Sequence, residues 1–469
     1  LLLVSIFVAG LAHAQLTGTK NIPGDYTDLN AAIMDLNLQG VGAGGVILNV
    51  LPGNPQTAPA GGYVIGGVGS NILITGTFPT SLANNVQING NGNVILASAG
   101  HTVGSLTDAV FKLVGADFVG IQGCLMQENP ANTVNTPAGS NTMTEWGIAL
   151  LYVTNTDGSQ NNAFASNSIS LSRTYANTWG IYSNTRHSAT VPTTTADITN
   201  NTTAPNSGNR VYGNTISNVN MGIAFIGSGT AANQDSGNDV GGTSALTGNT
   251  ITNWGGAAAL SSYNSNSGVS YCILMNHQTT SNVSFNNITR ATVSGTAATL
   301  RGIAQDFTTA APIGTFTNTI SSNQITLSSG FTSGNFQHIF TNTTAASTGA
   351  TLNITNNSLL NSAVSGVASS SVMVGIANTG AYGVLNITGN ILRNWTSTAT
   401  SGGLTGISNT GAIVTTNNIT NNQIGNAIGG IITFSAATSG AVAGITSTGG
   451  ASTCTTTIQG NDIRGIVHS

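Results

Sequence analysis

Along most of this chain, apolar residues come in short alternating pulses rather than in helical stripes. Leu352-Asn353-Ile354 and Val384-Leu385-Asn386-Ile387 are typical, with an aliphatic residue at every second position. That period puts one face of a strand into a core. Gly, Asn, Ser and Thr separate the pulses, and these residues accept positive φ or bond their own backbone in turns. The pulses also recur. The tripeptide Asn-x-Ile/Leu has its Asn at Asn167, Asn214, Asn249, Asn286, Asn323, Asn357, Asn390, Asn422 and Asn461, in steps of 47, 35, 37, 37, 34, 33, 32 and 39 residues. In four units a second Asn follows, at Asn218, Asn253, Asn361 and Asn394. A Gly-Ile pair falls between most of these motifs, for example at Gly180-Ile181, Gly222-Ile223, Gly375-Ile376 and Gly406-Ile407.

About three short strands per unit, with one turn of chain per unit, describe an all-β fold: a right-handed parallel β-helix, or solenoid. Successive coils pair in parallel about 4.8 Å apart, and each buries its inward Ile, Val and Leu only when a neighbour covers it. The recurrent Asn residues are expected to turn tight corners in the left-handed conformation. Stacked in register, they are also expected to bond from coil to coil as a structural ladder through Asn214, Asn249, Asn286, Asn323, Asn357, Asn390, Asn422 and Asn461. Trp254 and Trp395 each follow a second Asn, and they are expected either to pack against a loop or to form an exposed shelf for sugar rings.

The first 52 residues read differently. Leu1 to Ala12 is apolar and is followed by Ala12-His13-Ala14, which reads as a signal peptide cleaved after Ala14. Residues 15–52 read as a cap. Thr27 is placed to N-cap a helix that runs to Gln39 and ends at Gly40, with Leu29, Ile33 and Leu36 on one apolar face. A strand from Gly45 to Val50 follows. Residues 53–469 form the β-helix, and because its pattern runs to Gly465-Ile466, the C-terminus is expected to be truncated. Gly24-Asp25-Tyr26-Thr27-Asp28-Leu29-Asn30-Ala31-Ala32-Ile33, with the strand from Val46 to Pro52, resembles the opening of pectin-lyase-like β-helix proteins. The stretch from Val110 to Gly123 resembles early coils of large secreted β-helix proteins of Bacteroidetes. The resemblance covers the mature chain and implies fold and export. It leaves activity open, since such folds host lyases, hydrolases and binding proteins alike.

Composition narrows the function classes. Only 5% of residues are charged, against about 25% in an ordinary domain. Nine Lys and Arg and a net charge of −4 leave no basic patch for nucleic acid. No apolar run is long enough for a transmembrane span. Cys124, Cys272 and Cys454 are too dispersed for a disulfide framework or a metal cluster and read as small buried hydrophobes. There is no P-loop, no G-x-S-x-G and no HExxH.

Chemistry, if present, belongs to residues 145–239. Glu145, Asp157, Asp197, Asp235 and Asp239 lie there with Arg173, Arg186, His187 and Arg210. The longest step, 47 residues, implies a loop from about Asn184 to Asn209, and long loops on rigid scaffolds carry function. Asn155-Thr156-Asp157-Gly158 is similar to one polygalacturonase motif, but the acid pair, Gly-His-Gly and Arg-x-Lys of that family are missing. A pectate-lyase-type site would need acids such as Asp235 and Asp239 on Ca²⁺ with Arg210 as base. Two expectations follow. The first is a secreted or outer-surface β-helix that serves as a structural or adhesin-like binding platform for an extracellular polysaccharide or cell-surface component, without cofactor. The alternative is a polysaccharide lyase or glycoside hydrolase whose candidate residues are Asp157, Asp235, Asp239, Arg186, His187 and Arg210. The sequence carries no signal for oligomeric state.

Overall fold

The computed structural model describes residues 15–468 except 73–79, 104, 136–139, 189–202, 257–268, 291, 293, 296–298, 308–311, 332, 344–346 and 367–368. The chain winds as a parallel β-helix with three sheets along its length. Among the described residues, the first sheet stacks 13 strands from Leu16–Ile22 to Thr455–Gln459, and the second stacks 11 from Tyr63–Gly66 to Val442–Ser447. The third runs from Gln56–Thr57 to Asp462–Ile463, with a branch off Gln324–Phe331 that continues to Ile466–His468. Neighbouring strands pair in parallel throughout, as the chain pattern of one strand per sheet per coil requires.

Register holds like residues above one another. In the first sheet, Val283, Ile320, Ile354, Ile387 and Ile419 are successive partners. In the third, Ile216, Ile251, Ile288 and Ile325 follow the same rule. In the second, the column is the Ile of the Gly-Ile pairs: Ile148, Ile181 and Ile223, then Ile273, Ile303 and Ile339. All are buried in one continuous core, where each side chain contributes roughly 1.5–3 kcal/mol of burial. The glycine before the Ile has a steric cause. A Cβ on Gly375 would sit 2.3 Å from Leu392 Cδ2 and 2.4 Å from the Gly406 carbonyl. Cys272 and His338 occupy two of these glycine positions. His338 fills the interior there, stacked on Trp395 with ring centroids 4.5 Å apart and bonded to the Val374 carbonyl and the Ser362 hydroxyl.

The corners are held by carboxamides. The backbone N–H of each Asn, from Asn167 to Asn422, donates to Oδ1 of the Asn one coil on, at 3.0–3.2 Å. Each Nδ2 donates to that same oxygen at 2.8–3.1 Å. It also donates to a carbonyl of the preceding coil, as Asn357 does to Ile320 at 2.9 Å. The left-handed conformation is not on these residues. It falls on the residue before them, as in Asn356, Ser322, Phe285 and Asn421, and on the second Asn of the unit, Asn218, Asn253, Asn361 and Asn394. Bonding and turning are thus divided between adjacent positions, because a buried ladder carboxamide must hold its backbone N–H toward the next coil.

At the N-terminal end the helix spans Leu29–Gln39. Its N-cap is Asp28 rather than Thr27: Asp28 Oδ1 accepts from the Ala31 N–H at 2.8 Å, and Gly40 closes the helix at φ 74. Leu29, Ala32, Ile33 and Leu36 are buried in the same core as the first coils. The strand after it begins at Val41, and a further strand, Leu16–Ile22, precedes it and pairs with it. The proposed signal peptide, residues 1–14, lies outside the described residues. No helix of the described residues is long and apolar enough to cross a membrane.

The ladder is expected to dominate corner stability. Asn357→Ala strips two donors on Asn323 of their acceptor and the Ile320 carbonyl of its donor, all in a buried corner, and should cost roughly 3 kcal/mol. Asn386→Ala removes half-exposed carboxamide contacts to Asn353 and Asn418 and should cost under about 1 kcal/mol. Guanidinium unfolding of both variants measures the difference, and equal losses would mean that the inner ladder has no special weight.

Candidate functional site

The residues singled out between 145 and 239 end up in three places. Asp157 closes a tight turn whose N–H bonds the Thr154 carbonyl at 3.1 Å, and its carboxyl is half-buried. Nearby Asp117 accepts from the Gln160 N–H at 2.6 Å, and burial pushes its carboxyl up to about 7, with Asp157 adding to the rise. The polygalacturonase-like tetrapeptide is therefore a corner: its Gly158 has no room for a side chain against Pro205 and Asn206.

Arg210 and Asp239 are direct neighbours across two strands of the first sheet. Asp239 is occupied by three donors there, the Tyr212 hydroxyl at 2.6 Å, the Asn282 amide at 2.8 Å and the Gly242 N–H at 3.0 Å. Asp235 is only four residues away in sequence but belongs to the wall of the helix, fully buried. It stands in a second corner ladder. The Ser159 N–H donates to Asn206 Oδ1 at 2.7 Å, and the Asn206 N–H donates to Asp235 Oδ1 at 2.9 Å. Gln278 Nε2 donates to the other carboxyl oxygen at 3.2 Å. Burial pushes Asp235 up to about 7, against the pull of the Asn206 and Gln278 bonds and the Arg186 charge.

Arg186 and His187 extend the second-sheet strand Trp179–Ser188, so the expected loop from Asn184 begins as strand. Residues 189–202, with Asp197, lie outside the described residues. At the other end of that stretch Asn206 and Asn209 are ladder members. Arg186 is buried, which lowers its guanidinium to about 10, and it approaches Asn276 Oδ1 at 3.5 Å. His187 packs edge-on against Trp146 and Tyr182, which stack on each other at 4.9 Å with an interplanar angle of 3°. With Trp179, Tyr271 and Phe340 these rings form a second apolar cluster on the outer face of the second sheet. Trp254 and Trp395 are neither shelf nor loop contact: both lie in the main core, and Trp395 Nε1 bonds the Leu359 carbonyl at 2.9 Å.

One cluster escaped the sequence reading. Asp108 and Glu145 precede strand partners Ala109 and Trp146, so they are equivalent positions of successive coils. The Asp108 N–H donates to Glu145 Oε2 at 2.8 Å, and the Tyr175 hydroxyl donates to Oε1. His101 Nδ1 lies 3.3 Å from Asp108 Oδ1, and His101 Nε2 lies 3.1 Å from the Thr144 hydroxyl, which donates to Glu128. Burial, then Asp108, holds Glu145 well above the usual carboxylate range, while burial lowers Lys112 against the pull of both acids. Such a group has the parts of an acid–base site but is closed: exposures are 7% for His101, 3% for Asp108 and 0% for Glu145. It fastens loops to the second sheet. Its members come from separate coils at unequal spacings, so no sequence motif could reveal it. Among the described residues, no three His, Cys, Asp or Glu side chains converge as a metal site.

The sequence matches no family model and no curated protein. Among solved structures it is similar to PfbA, a surface adhesin of Streptococcus pneumoniae, with 94% of this chain and 88% of that chain covered at 10% identity and a TM-score of 0.28.

A ladder role for Asp235 has a pH signature. Its folded value is raised, so the fold holds a proton that the unfolded chain releases above about pH 4, and stability falls as pH rises toward 7. Buried His277 and His338, lowered to about 3 and about 4, contribute with the opposite sign. The informative comparison is therefore wild type with Asp235→Asn. Urea midpoints should fall more steeply from pH 5 to pH 7 in the wild type, by up to about 1.4 kcal/mol per pH unit. Parallel profiles would show that Asp235 does not hold the proton.

Proposed function

We propose that this chain is an exported β-helix of the pectin-lyase-like kind found in large secreted proteins of Bacteroidetes. After removal of residues 1–14 it acts, secreted or on the outer cell surface, as an adhesin-like structural and binding platform. Its partner is an extracellular polysaccharide or another cell-surface component. One observation carries this reading: three of the acids of residues 145–239 serve the wall. Asp235 is a buried ladder member, Asp239 is held by Tyr212, Asn282 and Gly242, and Glu145 is sealed under Tyr175. Glycoside cleavage asks for two carboxyls facing one sugar across an open cleft, and these acids face neighbouring coils instead.

Incubation with pectin, alginate and related glycans tests the proposal. The expected result is retention on a glycan or cell surface with no release of reducing or unsaturated ends, unaltered by a Ca²⁺ chelator. Turnover that depends on Ca²⁺ and is lost in Asp157→Ala or Asp239→Ala would replace the platform by a lyase or hydrolase.

A further inference from the structure

The outer face of the first sheet changes character along the molecule. In its early coils the outward positions are mixed and include Ala163, Arg210 and Asp239. From Phe316–Ser321 to Thr455–Gln459 they become a grid three residues wide and five strands long. The middle column is Thr319, Asn353, Asn386, Asn418 and Thr457, in strict register. The column beside it is Ser321, Thr355, Thr388, Thr420 and Gln459. The remaining column is Thr in every strand except at Val384. All fifteen positions are half-buried or exposed, and none is charged or aromatic.

The grid is also held in place. Asn386 Nδ2 donates to Asn353 Oδ1 at 2.8 Å and Asn418 Nδ2 to Asn386 Oδ1 at 2.9 Å. The Thr388 and Thr420 hydroxyls are 3.0 Å apart. Side-chain ladders of this kind are what keeps a many-stranded sheet flat. The outer face of the third sheet starts comparably, but Leu360, Ile391 and Arg393 interrupt it.

The chemistry of the grid selects its ligand. A polyanion or mineral surface would call for charged side chains. A sugar polymer would call for exposed aromatic rings to stack on, and Trp254 and Trp395 are buried. The grid offers methyl groups, which restrict the orientations of first-shell water, and hydroxyls and carboxamides, which anchor single waters. Its repeats are about 4.8 Å between strands and about 6.7 Å between alternate residues. They approximate the oxygen repeats of the prism faces of ordinary ice, the first somewhat longer and the second somewhat shorter. The geometry points to a lattice-binding surface: the outer face of the first sheet between Thr317 and Gln459 orders water into an ice-like layer and adsorbs to ice. This rests on the platform reading, in which the outer faces bind rather than cleave, and assigns this one face ice instead of a polysaccharide.

Ice recrystallisation and ice-crystal shaping by the full chain form the test. The wild type should arrest recrystallisation and facet growing crystals. Thr388→Tyr, in the middle strand of the grid and pointing outward, should lose both effects with an unchanged thermal melt. Ser408→Tyr, on the outer face of the second sheet, should retain them. A wild type that leaves ice growth unaltered overturns the assignment, as does a Thr388→Tyr variant as active as wild type. A chain that leaves ice unaltered yet is retained on glycans refutes the ice surface alone, and one that cleaves glycans refutes the platform.

Discussion

A parallel wall that turns inward at every corner brings backbone N–H and carbonyl groups into a dry interior, where each unpaired group costs about 1–3 kcal/mol. Asn can satisfy such a corner from one coil to the next, because its side chain accepts with one atom and donates twice with the other. The rest of the molecule follows from that requirement. Successive ladder residues lie anywhere from 32 to 47 positions apart, yet their bonds stay within 2.8–3.2 Å. Only the corner must be in register, so extra residues leave outward as loops. Columns of Ile then fall above one another, and the residue before the Ile is Gly wherever the opposite wall leaves no room.

The Asn and Gly-Ile periods made the coil legible because each repeat meets the same local problem. What stayed hidden has physical reasons. The left-handed residue before most ladder Asn residues is Asn, Ser, Gly or even Phe285, so it has no common letter. A further ladder, in which the Asn162 N–H donates to Asn209 and the Asn209 N–H to Asn238, sits beside strands as short as Asp239–Val240, with too little apolar pattern to mark it. Asp235 looked like a candidate acid because a carboxylate and a carboxamide have nearly the same shape, and only burial and partners separate a ladder member from a reactive group. Trp254 and Trp395, expected against a loop or on a shelf for sugar rings, lie inside because the interior is wide enough for indoles where the opposite wall is small.

Charge is scarce for the same cause. A group inside this wall has two coils as neighbours and almost no water, so it must be neutral or matched. Glu145, Asp235, His277 and His338 all shift toward their neutral forms through burial. The outer face of the first sheet is free of that demand. There the pattern of side chains reflects what the surface meets, and the passage from the irregular early coils to the uncharged grid after Phe316 is the largest such change along the first sheet.

Cys124 has a mechanical consequence. It stands in the corner column between Asn93 and Asn167, accepting the strand contact of Ser168 and donating its own N–H to Asn167 Oδ1 at 3.1 Å. A thiol cannot take the place of the carboxamide on its other side, and the Asn93 N–H turns back to Gly90 instead. Interfaces between coils are loaded in series when a rod is pulled end to end, so the weakest one sets the force the whole can bear. The interface between the coils of Asn93 and Cys124 is weaker under such a load by the rung that Asn93 turns inward on Gly90.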